Sequence, residues 1–215
     1  YENGKLKQTN KREVILDLDT IGHIKRDLEY FNSSVERSMF TSRGCCYNCI
    51  FCGASTFWGN KIRYHSPEYV IKEIEEIYNF SNTNFIRIED LTFTINKNRL
   101  KEILAIWKQH YLYGKIKFAV KGRANLIDDE MAQILKELGV DTVFLGFESN
   151  NTNVLMYLKK CDASAKFNQE AYDILNKHDI FVYGSFIFGT PEDTTESLED
   201  SLNFLNQNEF MYADV

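Results

Sequence analysis

Short apolar runs alternate along the chain with longer stretches in which apolar residues recur every three or four positions. The short runs at 38–41, 84–89, 115–120, 141–147 and 181–188 are rich in β-branched or aromatic residues and too short for helices, so they predict strands. Between them lie helical stripes. Ser66-Pro67-Glu68 supplies a cap, an N-terminal proline and a first-turn acid, and Val70, Ile71, Ile74, Ile77 and Tyr78 follow on one face. Leu100, Ile103, Leu104 and Trp107 make a second stripe, and Met131, Ile134, Leu135 and Leu138 make a third, which Gly139 stops. Asp193-Thr194-Thr195-Glu196 opens a last helix in the manner of a capping box and is expected to turn Leu198, Leu202 and Leu205 inward. Repeated strand–helix units predict an α/β fold around a parallel sheet, with active-site residues at the C-terminal strand ends. Five units can be counted, and Met211-Tyr212-Ala213-Asp214-Val215 reads as the start of a sixth.

Composition narrows this picture. With 215 residues, 44% hydrophobic and 26% charged, the chain can bury one sizeable core. Residues 1–35 are polar and irregular apart from Val14-Ile15-Leu16-Asp17-Leu18-Asp19, and read as a connector from an upstream domain into a main domain over 36–215. An ordinary surface arm is the plain alternative. Tyr1 is not an initiating methionine, and the main domain is expected to be incomplete at its C-terminal end. No apolar run approaches the roughly 18 to 20 residues that cross a membrane. The net charge of −6 gives no broad basic footprint, so nucleic acid is not indicated as a partner. Five cysteines without a secretory signal fit a reducing cytoplasm.

The chemistry concentrates in Thr41-Ser42-Arg43-Gly44-Cys45-Cys46-Tyr47-Asn48-Cys49-Ile50-Phe51-Cys52, which sets Cys45, Cys49 and Cys52 at C-x3-C-x2-C spacing in one loop. Thiolates are the usual ligands of iron–sulfur clusters. Three of them leave one iron of a four-iron cube open, much as a catalytic metal keeps an unfilled position. Structural zinc needs four ligands, commonly in two pairs, whereas Cys161 and the four histidines are scattered singly. A disulfide framework fits poorly with an odd number of cysteines crowded into one turn. Buried, unliganded cysteines are the remaining plain reading, and they rarely come three to a loop.

These residues resemble the radical S-adenosylmethionine (SAM) enzymes, whose signature is C-x3-C-x-aromatic-C, with Phe51 in the aromatic place. The resemblance implies a partial (βα)6 TIM-like barrel, truncated here at the sixth strand, and a [4Fe-4S] cluster on Cys45, Cys49 and Cys52. It implies that SAM chelates the open iron and is cleaved by one electron to methionine and a 5′-deoxyadenosyl radical. Cys46 stands where related sequences often carry proline, and the spacing favours Cys45 as ligand.

The same resemblance implies cofactor contacts at the strand ends. Glu89 and Asp90 match an acidic variant of the end that receives the SAM ammonium, where a carboxylate gains a charge-assisted hydrogen bond; a helix-capping turn is the plain alternative. Gly146-Phe147-Glu148-Ser149 places Glu148 to accept from the ribose hydroxyls. Lys160, or its neighbour Lys159, falls where the family sets a base for the SAM carboxylate, against the alternative of a solvated pair at a helix end. Arg123 follows the third strand, where the family often shows an arginine facing the cofactor; a surface ion pair would also explain it. Ile187 and Phe188, ahead of Gly189-Thr190-Pro191-Glu192, would flank the adenine opposite Phe51 and Gly53.

The connector and the segment Phe57-Trp58-Gly59-Asn60-Lys61-Ile62-Arg63-Tyr64-His65 resemble cobalamin-associated members, implying methyl transfer or rearrangement with cobalamin held by a domain outside this chain. The Asp-x-His-x-x-Gly cobalamin signature is absent from the sequence. A methylthiotransferase-like enzyme and a non-catalytic electron carrier are the competing readings. Expected partners are a small-molecule or peptide substrate and a reductant such as flavodoxin or ferredoxin. No acid, base or radical relay for the substrate stands out.

Overall fold

The computed structural model describes residues 4–6, 9–10, 12–26, 37–158, 164–210 and 212–214. In chain order the elements are β1 (Arg37–Met39), β2 (Ser42–Arg43), α1 (Ala54–Trp58), β3 (Arg63–Tyr64), α2 (Pro67–Ser81), β4 (Phe85–Ile88), α3 (Lys97–Trp107), β5 (Lys117–Gly122), α4 (Asp129–Leu138), β6 (Val140–Glu148), α5 (Thr152–Tyr157), α6 (Ala165–Lys177), β7 (Phe181–Phe186), α7 (Thr195–Gln207) and β8 (Tyr212–Asp214). β1, β4, β5, β6, β7 and β8 form one sheet in that order, and every neighbouring pair is parallel. That is the partial α/β barrel the strand–helix repeat predicts: five units and the first strand of a sixth. β2 and β3 pair separately as a small antiparallel ladder.

The helices form where stripe and caps agree. The Ser66 side chain accepts from the Tyr69 N–H, Pro67 occupies the first turn, and Val70, Ile71, Ile74 and Ile77 of α2 are buried. Asn96 and Asp128 cap α3 and α4 in the same way. Gly139 ends α4 at φ 95°; a Cβ there would stand 2.8 Å from the Ile116 carbonyl, so only glycine fits. Trp107 is buried and donates from Nε1 to the Leu138 carbonyl at 3.0 Å. These stripes meet Ile86, Ile88, Phe118, Val120, Val143, Leu145 and Phe147 on the outer side of the sheet, which gives one continuous core.

Two expectations change. The third strand begins at Lys117, not 115, because the Lys115 N–H is held in a turn by the Leu112 carbonyl at 3.0 Å. In α7 the buried face is Ser197, Ser201 and Phe204; of the three leucines expected inward, Leu205 packs against the core while Leu202 is 50% exposed. Small residues win there because the Ser201 hydroxyl accepts from the Asn150 N–H at 2.9 Å, an approach that a leucine would block. α6, which the stripes did not single out, reaches the same loop through Asn168, whose Nδ2 donates to the Ser149 carbonyl at 2.9 Å.

Of the N-terminal stretch, 17–26 packs on the barrel. Asp17 caps a short 3-10 turn at Leu18–Thr20, Leu18 is buried, and Arg26 pairs with Glu73 of α2 at 2.7 Å with both side chains out of water. The boundary expected at 35/36 lies outside the described residues. Among the described residues, no helix is long and apolar enough to cross a membrane.

Candidate active site

The C-terminal ends of the strands hold the cysteine loop in place from beneath. Asp90, just after β4, is 1% exposed. Its carboxylate accepts from the Thr41 N–H (2.6 Å), Thr41 Oγ1 (2.5 Å), Ser42 N–H (2.9 Å) and Ser42 Oγ (2.7 Å). Arg99 of α3, also buried, donates to the carbonyls of Thr41 (2.9 Å) and His65 (3.1 Å). A buried carboxylate with four donors and a guanidinium on two carbonyls fix the strand that enters the loop. Gly44 then turns at φ 102°, with the Lys61 carbonyl 2.0 Å from where a Cβ would be.

Beyond that turn Cys45, Cys49 and Cys52 all line one cavity of about 340 Å³, together with Phe51, Arg123 and Glu148. Cys45 is buried and Cys52 exposed. The Cys45 sulfur lies 3.7 Å from the Thr92 hydroxyl. The Cys49 sulfur accepts from Arg123 Nη1 at 3.5 Å. Arg123 lies over the Tyr47 ring, 3.7 Å from its centroid, and burial pushes the Tyr47 phenol up, against the opposing pull of Arg123. Cys46 is exposed and lies outside the cavity wall. Among the described residues, no three of His, Cys, Asp and Glu are gathered as a single metal ion would require. Three thiols spread round one cavity wall suit a larger cluster that takes one thiolate per iron.

Glu148 ends β6 with φ 63°, a left-handed backbone that costs a non-glycine residue roughly 1–3 kcal/mol and gathers at functional sites. The β6–β7 register shifts between Gly146 and Glu148, and the Glu148 carbonyl accepts from the Ile187 N–H at 2.8 Å. The residue is 8% exposed and faces the cavity.

The other expected contacts sit apart from this wall. Glu89 is engaged by Lys121 Nζ at 2.5 Å and by Arg87 Nε at 3.2 Å. The Asp90 carboxylate serves Thr41 and Ser42, as described above. Gly53 is the exposed N-cap of α1. Phe188 packs on the core, its ring stacked 6.4 Å from Phe186, and Ile187 meets the site through its backbone. Lys160 and Lys159 lie outside the described residues.

Sequence reasoning missed the inner wall. Lys121, Phe144, Tyr183, Ser185 and Asp214 line the cavity from β5, β6, β7 and β8. Tyr183 meets Phe144 in a tilted ring contact at 4.6 Å and donates to the Asp214 carboxylate at 2.5 Å; that hydrogen bond pushes its phenol up to about 12. The signal was present in β6 and β7, where Thr142, Phe144, Tyr183 and Ser185 alternate with Val143, Leu145, Val182 and Gly184.

Residues 39–205 match the family model described as the radical SAM superfamily. The chain is 32% identical over 217 residues to an uncharacterized methyltransferase, PH0819, of Pyrococcus horikoshii, covering 99% of this chain and 47% of that protein. It is 29% identical to the anaerobic magnesium-protoporphyrin IX monomethyl ester cyclase of Cereibacter sphaeroides, over 74% of this chain and 26% of that one. The chain thus spans about half the length of the first relative and about a quarter of the second. Among solved structures it resembles the radical SAM methyltransferase TsrM of Kitasatospora setae with tryptophan substrate and a SAM analogue bound. That match has a TM-score of 0.74 at 18% identity, over 82% of this chain and 34% of TsrM. The TsrM form with cobalamin and a [4Fe-4S] cluster matches with the same TM-score. With the cysteine loop seated over the ends of a partial parallel barrel, the chain belongs to the radical SAM superfamily of enzymes.

Proposed function

We propose that this chain is the SAM-cleaving barrel of a cobalamin-dependent radical SAM methyltransferase. The observation that carries the proposal is the convergence of Cys45, Cys49, Cys52 and Glu148 on one cavity. The three thiols would hold a [4Fe-4S] cluster, which when bound supplies the electron for reductive cleavage of SAM. Glu148 accepts from the ribose hydroxyls, Phe51 and Arg123 close the wall round the nucleoside, and the loop after β4 excludes water beneath Cys45. Lys160 is the proposed partner of the SAM carboxylate, and Ile187 and Phe188 with Gly53 the proposed boundary of the adenine. Glu89, already paired with Lys121, and Asp90, already bound to the loop, act here by shaping the SAM site.

Methyl transfer and cobalamin are supported by the names of the Pyrococcus relative and of TsrM, with cobalamin supplied by a domain outside this chain. The substrate is a small molecule or peptide, and a flavodoxin or ferredoxin supplies electrons in a reducing cytoplasm. An electron carrier has no use for a carboxylate held in a strained backbone at the cavity wall. A methylthiotransferase would need a second cluster, toward which exposed Cys46 is a poor start.

The test is anaerobic reconstitution with iron and sulfide, followed by SAM and a strong reductant, against a Cys45/Cys49/Cys52 triple-Ala control. 5′-Deoxyadenosine, or a SAM-induced change in the reduced cluster's electron paramagnetic resonance spectrum, is expected in the wild type alone. A cluster indifferent to SAM would overturn the reading. Methyl-labelled SAM, given to the barrel together with its cobalamin-binding domain, then separates its two levels: label leaving both SAM and methionine only when cobalamin is bound supports methyl transfer. Label recovered wholly as methionine removes methyl transfer and leaves cleavage standing.

A further inference from the structure

Two of the three thiols are not simply presented to the cavity; each has a buried polar side chain at its sulfur. Thr92 is 5% exposed, and its Oγ1 lies 3.7 Å from the Cys45 sulfur while donating to the Leu91 carbonyl at 2.8 Å. A thiol beside it can give its own proton to that hydroxyl. A metal-bound thiolate has no proton and can only accept, so the hydroxyl must turn from Leu91 to the sulfur to make the contact. On the other side, Arg123 is buried and donates from Nη1 to the Cys49 sulfur at 3.5 Å. Its plane is fixed against the Tyr47 ring at 3.7 Å, and its Nε donates to Asn125 Oδ1 at 3.3 Å.

We infer that Thr92 and Arg123 set the reduction potential of the cluster through hydrogen bonds to the Cys45 and Cys49 sulfurs. The inference rests on the cluster assignment above. Reduction adds one negative charge to the cluster, spread in part over its thiolates. A donor or a cation at a ligand sulfur stabilises the reduced form more than the oxidised one, and hydrogen bonds to the sulfurs are among the factors that tune such potentials. Both donors are buried, so water screens neither strongly. They come from the ends of β4 and β5, the strands that carry the barrel floor, so the fold itself places the electron affinity of the site. Cys52, at the exposed corner, is left to solvent.

The experiment is a redox titration of the reconstituted 215-residue chain without SAM, read by the electron paramagnetic resonance signal of the reduced cluster. Thr92→Val removes the hydroxyl at nearly constant volume, and Thr92→Ser keeps it. Arg123→Gln removes the charge, and Arg123→Lys keeps it on a more compact head. Expected are a midpoint more negative than wild type in Thr92→Val, a larger negative shift in Arg123→Gln, a wild-type midpoint in Thr92→Ser and a smaller shift in Arg123→Lys. Wild-type midpoints in both Thr92→Val and Arg123→Gln would overturn the inference while the cluster assignment stands. Equal shifts in Thr92→Val and Thr92→Ser would assign the effect to packing and overturn the role of Thr92. A wild type that assembles no cluster would overturn the assignment and the inference together.

Discussion

Glu148 is held in a left-handed backbone at φ 63° where it lines the cavity, which separates its structural cost from its use. Both Glu148→Ala and Glu148→Gly remove the carboxylate, but only glycine tolerates that backbone without strain. Thermal unfolding should show the glycine variant to be the more stable of the two by about 1 kcal/mol. A binding isotherm should show SAM affinity down roughly 10- to 150-fold in both, the value of about 1.5–3 kcal/mol for hydrogen bonds to a charged group. Normal SAM binding by either variant would end the ribose role. At this scale the sequence was legible where spacing alone gathers side chains, as it brings Cys45, Cys49 and Cys52 to one cavity. It was not legible at Asp90. An acid at a strand end looks the same whether it faces a ligand or turns back to Thr41 and Ser42, and that choice depends on β1 and β4 lying side by side. Lys121 was missed for the same reason, since its partner Glu89 stands on the neighbouring strand.

The helices were readable because each stripe coincides with a cap: Ser66, Asn96 and Asp128 all accept from backbone N–H groups at the places the sequence marks or allows. The exception, α7, shows what periodicity leaves out. Its buried serines follow from the tight approach of the loop after β6, which no helical pattern encodes. The cysteine loop is the element on which the site depends most, and its entry at Gly44 can be tested directly. An alanine Cβ would stand 2.0 Å from the Lys61 carbonyl at φ 102°, so the β2–β3 ladder or the loop must shift. Gly44→Ala should therefore lose cluster content in iron and sulfide analysis, while far-ultraviolet circular dichroism stays that of the wild type because the barrel core lies elsewhere. Full iron content in this variant would show that the loop tolerates a different path. Asp90→Asn probes the same element from below. It puts two N–H donors where Asp90 now accepts four bonds, and leaving buried donors unmatched costs about 1–3 kcal/mol, read as a lower urea midpoint.

For the whole molecule, residues 17–26 lie as a strap on the outside of the barrel, held by Asp19, Ile21 and Arg26. The Arg26–Glu73 pair is nearly dry on both sides, and removing one partner of such a pair costs about 3–5 kcal/mol because the other charge is stranded. Glu73→Gln should therefore lower the urea midpoint far more than a change at exposed Lys166–Glu170, where an ion pair contributes under about 1 kcal/mol. The strap is also the place where stability meets pH. His65 stacks on Tyr69 at 3.9 Å between ring centroids and shares a hydrogen bond with Asp19 at 3.1 Å. Burial holds His65 below its ordinary 6.5, against the pull of Asp19. Asp19 in turn lies below 3.8: burial raises it, and hydrogen bonds from Ser66 and His65 outweigh that. Both groups bind their protons more weakly folded than unfolded, so the unfolded chain takes up more protons as pH falls. Stability should fall as pH drops below about 6.5, and fall again below about 4, where Asp19 is joined by Glu130, held at about 2 by Lys101 and Lys97. Urea midpoints at pH 7, 5.5, 4 and 3 measure this, with His65→Asn flattening the interval from 7 to 5.5 and leaving the one from 4 to 3. A midpoint that rises between pH 7 and 5.5 would mean that the Asp19 carboxylate outweighs burial at His65, and that the strap tightens on protonation.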